Sequence, residues 1–330
     1  MIGTPNQPRK VHHHIAFLKV HKTGSTTAQR IFLRYGIEKN LTFVVPNNKS
    51  WYRNIISIND TVIPGYNVIL PPEGKHFDIL CFHVVYNRTA FEKLMPNDTR
   101  YVGILREPYL QFDSTLRYFK PNEVFGNGQN VSTFLKNPQL YENEDVKFSF
   151  TNNRMAFEFG FPSHLFKDFN ATEVKSYLQK LDKEFDVVLI NEYMDESVVL
   201  LRRILNWNVS DILFITLNKS RKKHIVDTSE LERRKLYRQY AKLDHALYEY
   251  FLERLWRQIR FYGHDIMSET SYFKYLRKTV EVFCFTDSMA DLFIQESTWN
   301  ERFSFDRRDC ENMFRSELHT VDEIVSKQYK

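Results

Sequence analysis

Ile15-Ala16-Phe17-Leu18-Lys19-Val20-His21-Lys22-Thr23-Gly24-Ser25-Thr26-Thr27 is the stretch whose reading decides the fold. Its first six residues form a short apolar run typical of a buried strand, and a Gly/Ser/Thr loop follows at once. Beyond the loop, Ala28, Ile31, Phe32 and Tyr35 fall on one face at helical spacing, with Gly36 as the predicted stop. Strand, phosphate-sized loop and helix open many nucleotide-binding α/β folds. A helix N-terminus offers unpaired N–H groups and partial positive charge; glycine lets a ligand approach the backbone, and hydroxyls add donors. The loop therefore suits an anion, although plain helix capping explains the same composition. It is not a Walker A loop, because Lys22 precedes Gly24 and the G-x-x-x-x-G-K-[ST] order is absent.

Outward from this unit, strands are predicted around Asp78–His83, Arg100–Arg106, Phe185–Ile190 and Ile212–Leu217, with helical segments between them. That alternation predicts an α/β fold with a central, mostly parallel sheet flanked by helices. A helix starts at Glu107-Pro108, with Leu116 and Phe119 on one face. Another runs from Asp195 to Asn206, with Val198, Leu201, Arg202 and Leu205 in one stripe. Ser229–Tyr262 reads as a surface helix pair. Residues 1–11 read as a disordered lead-in and 12–330 as one domain, less regular from 268 to 330.

The second chemical signal is Val102-Gly103-Ile104-Leu105-Arg106-Glu107-Pro108, continuing to Ser114. An arginine at a strand's end, followed by a serine on the next helix, can grip a second phosphate by fork geometry and a hydroxyl. A structural Arg106 paired with Glu107 or Asp113 is the other reading. Two separate phosphate sites imply a bisphosphate nucleotide.

Composition bounds the partners. A net charge of +5 on 46 basic and 41 acidic residues gives no overall field of the kind a nucleic-acid binder carries. The 28 Phe and 18 Tyr suit an aromatic core or a glycan-facing surface. No run approaches the ~20 apolar residues that span a bilayer, and no signal-peptide core is evident. Nine Asn-X-Ser/Thr sequons, at Asn40, Asn48, Asn59, Asn87, Asn97, Asn130, Asn170, Asn208 and Asn218, exceed the roughly three expected from ordinary residue usage. The excess favours a lumenal protein, with any membrane anchor expected upstream of this chain. Of three cysteines, Cys284 and Cys310 can pair in an oxidising lumen, leaving Cys81 in an apolar run; three unpaired thiols are the alternative. His12-His13-His14 is not expected to hold a metal, since three consecutive side chains entering a strand cannot all face one ion.

The two motifs together resemble the galactose 3-O-sulfotransferase family. Phe17 to Thr27 is similar to that family's FLKTHKT-(small)-SST loop, which holds the 5′-phosphosulfate of 3′-phosphoadenosine-5′-phosphosulfate (PAPS). Leu105-Arg106-Glu107-Pro108 with Ser114 is similar to its LR-(acidic)-P segment and downstream serine, which bind the 3′-phosphate. Similarity continues through Cys81-Phe82-His83, Phe157-Glu158-Phe159-Gly160, Glu192 to Ser197 and Leu217-Asn218; Val20 departs from the usual Thr. The resemblance implies a P-loop-like sulfotransferase fold, a Golgi lumenal location and transfer of sulfate from PAPS, without a metal. The implied acceptor is the 3-OH of a terminal galactose on a glycolipid or glycoprotein. Lys22 would stabilise the leaving phosphate; Lys22, Thr23, Gly24, Ser25, Thr26 and Thr27 would hold the phosphosulfate, and Arg106 and Ser114 the 3′-phosphate.

The acceptor's proton needs a base. His83, at the end of a strand expected to be central, is favoured for its position and for a Cys-x-His pattern shared with the family; His21 competes. Glu158 and Glu192 are weaker candidates. Lys219, Arg221, Lys222 and Lys223 either close over the ligand or form a solvated charge run. A uronic acid of a glycosaminoglycan is the alternative acceptor. A glycan-binding protein of the same fold without turnover, and a nucleotide kinase, are the alternative functions.

Overall fold

A computed structural model describes residues 10–47, 53–119, 130–143, 145–216, 228–286 and 290–330. Four parallel strands, β1 (Ile15–Phe17), β2 (Ile79–Leu80), β3 (Arg100–Leu105) and β4 (Val187–Ile190), form a sheet in the order β2-β1-β3-β4. Ile15 pairs with both Ile79 and Arg100, and Val102 with Val187. The strands are short and, apart from Arg100 at the start of β3, without charged residues, because helices and loops cover both faces, as a parallel sheet requires.

The chain leaves β1 toward β2 on one side and takes up β3 on the other. The crevice beyond the carboxyl ends of β1 and β3 is therefore a topological switch point, where open α/β sheets receive ligands. Helix α1 (Ser25–Glu38) starts there from β1's loop, and after α2 (Arg88–Leu94) and β3, α3 (Pro108–Phe119) starts there too.

The predicted apolar face of α1 is buried, but Gly36 does not stop it: the helix continues to Glu38. A Cβ at Gly36 would lie 2.3 Å from the Phe43 ring and 2.6 Å from Ile79, so this glycine admits the returning chain against the helix. Two strand expectations are also corrected. β2 pairs over only two residues and lies at the sheet's edge, so His83 stands three residues past an edge strand. Ile212–Ile215 is buried but pairs with no strand among the described residues, the Leu213 carbonyl accepting from the Arg34 guanidinium instead; Leu217 lies outside the described residues.

Helices α4 (Val131–Lys136), α5 (Arg154–Glu158), α6 (Ala171–Glu184) and α7 (Met194–Leu205) follow, with α7 packed on β4. The expected surface pair is α8 (Thr228–Tyr240) and α9 (Lys242–Phe261). Helix α9 is no surface element: Leu243, Leu247, Phe251 and Leu255 are buried, and it packs on β4 beside α7. The tail is more regular than expected, with α10 (Ile266–Phe285), a β5–β6 hairpin (Leu292–Ile294, Phe303–Phe305), α11 (Arg307–Phe314) and α12 (Glu317–Gln328). Cys284 and Cys310 form a disulfide that ties α10 to α11, and Cys81 is a buried free thiol. Among the described residues no helix is long and apolar enough to cross a membrane.

Candidate active site

The loop after β1 is shaped from within. Thr23 and Ser25 both donate their hydroxyls to the Val20 carbonyl, at 3.0 and 2.6 Å. These two residues therefore offer an anion their backbone N–H groups, while Thr26 and Thr27 keep partly exposed side chains at the start of α1. Gly24 precedes the helix at φ +80°, and a Cβ there would sit 2.2 Å from Oδ1 of Asn191, just past β4. Gly24→Ala thus combines a left-handed conformation with a clash; it is expected to cost about 1–3 kcal/mol of stability in denaturant titration, and to weaken anion binding at the loop.

Lys22 is itself left-handed, at φ 60°. Its Nζ lies 3.7 Å from the centroid of the Tyr118 ring, and its carbonyl accepts from Arg106 at 3.1 Å. Burial, and then the Arg106 charge, push the Lys22 amine down to about 8. Neither cation forms an ion pair among the described residues, a setting that suits an anion, although Glu192, Asp113 and Glu107 stand near enough to favour the charged Arg106. Glu107 pairs with Arg234 and Asp113 with Arg117, so the structural pairing considered for Arg106 is not formed among the described residues. The buried Nε of Arg106 has no hydrogen-bond partner.

Ser114 lies on the loop-facing side of α3. Gln111, three residues earlier, donates to the His21 carbonyl at 3.2 Å, and Tyr118, four residues later, carries Lys22 on its ring. The structure thus brings Lys22 beside Arg106 at the switch point, with Thr23, Gly24, Ser25 and Thr26 following in the same loop and Ser114 on the helix that carries Tyr118, while Thr27 also lines a separate small cavity with Arg30, Arg34 and Met313.

The two candidate bases meet beside it. The His21 and His83 rings stack at 3.8 Å between centroids. His83 donates Nδ1–H to the Lys19 carbonyl at 2.8 Å, which leaves Nε2 as its proton acceptor, and burial followed by the His21 and Lys19 charges holds its pKa well below the usual histidine range. His21 directs Nδ1 to the Glu158 carboxylate, and its backbone N–H donates to the same group at 2.7 Å. Burial lowers the His21 pKa, opposed by Glu158.

Arg154 neutralises Glu158 from the preceding turn, with Nε and a terminal nitrogen 3.1 and 3.0 Å from Oε1. Helix α5 carries both residues and is fixed by reciprocal capping. Asn153 accepts from the Leu243 and Asp244 amides, and Asp244 accepts from those of Met155 and Ala156. Glu158 is thus an orienting group for His21. Glu192 has a different duty, accepting from the Glu107 amide and the Tyr248 hydroxyl. Lys219, Arg221, Lys222 and Lys223 lie outside the described residues.

Comparison with known proteins now decides the family. The model of the family described as galactose-3-O-sulfotransferase matches residues 3–298. The chain belongs to the galactose-3-O-sulfotransferase family. Galactose-3-O-sulfotransferase 2 of Homo sapiens is 33% identical over 253 residues, covering 74% of this chain and 61% of the relative. Galactose-3-O-sulfotransferase 3 of Mus musculus is 32% identical over 256 residues, 76% of this chain and 58% of the relative. Galactosylceramide sulfotransferase of Homo sapiens is 28% identical over 285 residues, 84% and 64% respectively. The chain therefore spans about three fifths of the length of these curated relatives.

One contact of the site falls beyond the stretch that matches the galactose-3-O-sulfotransferase model. Lys19, only 1% exposed, forms an ion pair with Glu317 at the start of α12, 298 residues along the chain. Since the Lys19 carbonyl sets the His83 tautomer, helix α12 is tied through Glu317 to the residue that orients this candidate base. Glu317→Gln leaves a buried ammonium without its carboxylate; the expected loss is about 3–5 kcal/mol in denaturant titration at pH 7. Nothing local in the sequence signals this pair. The Arg154–Glu158 pair did carry one, its i,i+4 spacing.

Proposed function

We propose that this chain transfers sulfate from PAPS to the 3-OH of a terminal galactose on a glycolipid or glycoprotein glycan, in the Golgi lumen. The observation that carries the reading is the pairing of two anion grips at one switch point. The loop at the N-terminus of α1 with Lys22 suits a phosphosulfate, and Arg106 with Ser114 suits a second phosphate. Membership of the galactose-3-O-sulfotransferase family and the names of the relatives support the sugar and the position. Nine sequons and the Cys284–Cys310 disulfide support an oxidising, glycosylating compartment.

In this scheme the galactose hydroxyl oxygen forms a bond to sulfur while the bond from sulfur to the bridging phosphate oxygen breaks. His83 takes the hydroxyl proton at Nε2. Lys22 and the loop amides take up the negative charge that develops on the departing adenosine 3′,5′-bisphosphate. Arg106 and Ser114 hold the 3′-phosphate, which is not transferred and supplies positioning energy. The protons and charges of the step are met by these side chains.

Titration calorimetry tests the nucleotide half of the reading. Adenosine 3′,5′-bisphosphate is expected to bind and 5′-AMP to bind at least about tenfold more weakly, because charge-assisted bonds to the 3′-phosphate from Arg106 are then lost. Equal binding of the two would remove the 3′-phosphate clamp from the account.

A further inference from the structure

His12-His13-His14 divides its side chains among three directions. The His12 ring lies 3.3 Å from the Arg100 guanidinium at the start of β3, His13 shares a hydrogen bond of 2.8 Å with the Tyr35 hydroxyl, and His14 turns toward the start of β2. There it meets a group that the transfer chemistry does not use. Nε2 of His14 lies 3.3 Å from Oδ1 of Asp78, and Nε2 of His76 lies 3.1 Å from the same oxygen. The two imidazoles stand edge to face, 84° apart with centroids at 5.2 Å, so both Nε2 edges converge on one carboxylate. The three ligating atoms all lie within 4.8 Å of one another.

The two histidine–carboxylate distances are compatible with ligands of one metal ion. Tetrahedral zinc with ligands at about 2.0–2.1 Å places neighbouring ligand atoms about 3.3 Å apart. The outer contacts fit as well. His14 presents Nδ1 to Oδ1 of Asp98 at 2.5 Å, the carboxylate–histidine arrangement that fixes a ligand's tautomer and leaves Nε2 for the ion. Asp98 is held in turn by Lys10 at 2.8 Å, and the other Asp78 oxygen accepts from the Thr42 amide at 2.6 Å. Two imidazoles and one carboxylate match zinc's preference for nitrogen and oxygen donors, with water left for the fourth position.

We propose that His14, His76 and Asp78 form a zinc site at the amino ends of β1 and β2, positioned by Asp98 from the segment before β3. It stands at the end of the sheet opposite the anion loop. Its role is to clamp the start of three neighbouring strands. The ion takes no part in sulfate transfer.

The test is zinc titration of the metal-stripped, purified chain by calorimetry, with melting temperature followed in parallel. The chain also holds a second group of potential ligands, His21, His83 and Glu158, so the variants must separate the two. His76→Ala is expected to lower zinc affinity at least about 100-fold and abolish the zinc-dependent rise in melting temperature, and Asp98→Asn to lower affinity about 10-fold. His83→Ala is expected to leave both unchanged. His76 is largely exposed, at 66%, so its loss should not prevent folding, and sulfate transfer by His76→Ala should equal that of the parent. Cobalt in place of zinc should give the visible bands of a tetrahedral site, absent in His76→Ala. The proposal is overturned if zinc binding survives His76→Ala, if it disappears in His83→Ala instead, or if the parent chain binds no zinc.

Discussion

Lys22→Ala is expected to lower kcat for sulfate transfer by about 10²–10³-fold, the usual cost of removing one preorganised donor from a developing oxyanion. Lys22 is left-handed, its carbonyl is pinned by Arg106, and its Nζ rests on the Tyr118 ring. Aromatic contact leaves the ammonium without a carboxylate to satisfy it, so an arriving phosphosulfate meets a charge that no ion pair has to release. The pH dependence carries a sign. Burial and Arg106 disfavour the charged form, so the free protein loses this proton at about 8, below the ordinary lysine range. In the proposed mechanism the charged form is the active one, so kcat/KM should fall as pH rises through about 8. Lys22→Arg should retain less activity but lose that alkaline limb, since guanidinium stays protonated there. Steady-state rates across pH 6–9.5 check both statements.

His83→Ala is expected to cost about 10²–10⁴-fold in kcat, the range for loss of a general base. The carbonyl of Lys19 accepts His83 Nδ1–H and leaves Nε2 as the proton acceptor, while burial holds the pKa well below the ordinary value near 6.5. A base whose pKa is lowered keeps its active, neutral form in mildly acidic solution. The parent's kcat/KM should therefore run flat through pH 6.5, with any acid limb from this group displaced below it. His21 is the internal comparison: its Nδ1 is committed to Glu158, and its ring lies against that of His83. Glu158→Gln should lower the rate less than His83→Ala. A His21→Ala protein that loses transfer beside a His83→Ala protein that keeps it would exchange the two roles.

The parts of the site that were legible in the sequence are those built from contiguous residues. An apolar run, a glycine at a left-handed position and an apolar helical stripe are local facts, and they placed β1, the loop and α1. Arg106-Glu107-Pro108 placed the β3–α3 junction for the same reason. Gly36 misled because a glycine that admits a close neighbour looks the same in sequence as one that ends a helix. Ile212–Ile215 misled because strand propensity says nothing about what takes the carbonyls, and at Leu213 Arg34 does. The base region was the least legible. Glu158 gains its meaning only when α5 is capped by Asp244 and aimed at His21, and Glu317 only when α12 packs against α1 and meets Lys19. Pairings across such separations depend on the finished topology.

Incubation of the purified chain with PAPS and galactose-terminated glycans, followed by mass spectrometry and linkage analysis of the products, tests the central claim most directly. The predicted result is a gain of one sulfate on the 3-OH of terminal galactose, with release of adenosine 3′,5′-bisphosphate, and no such gain with Lys22→Ala. Unmodified galactosides, under conditions in which the nucleotide is shown to bind, would contradict it.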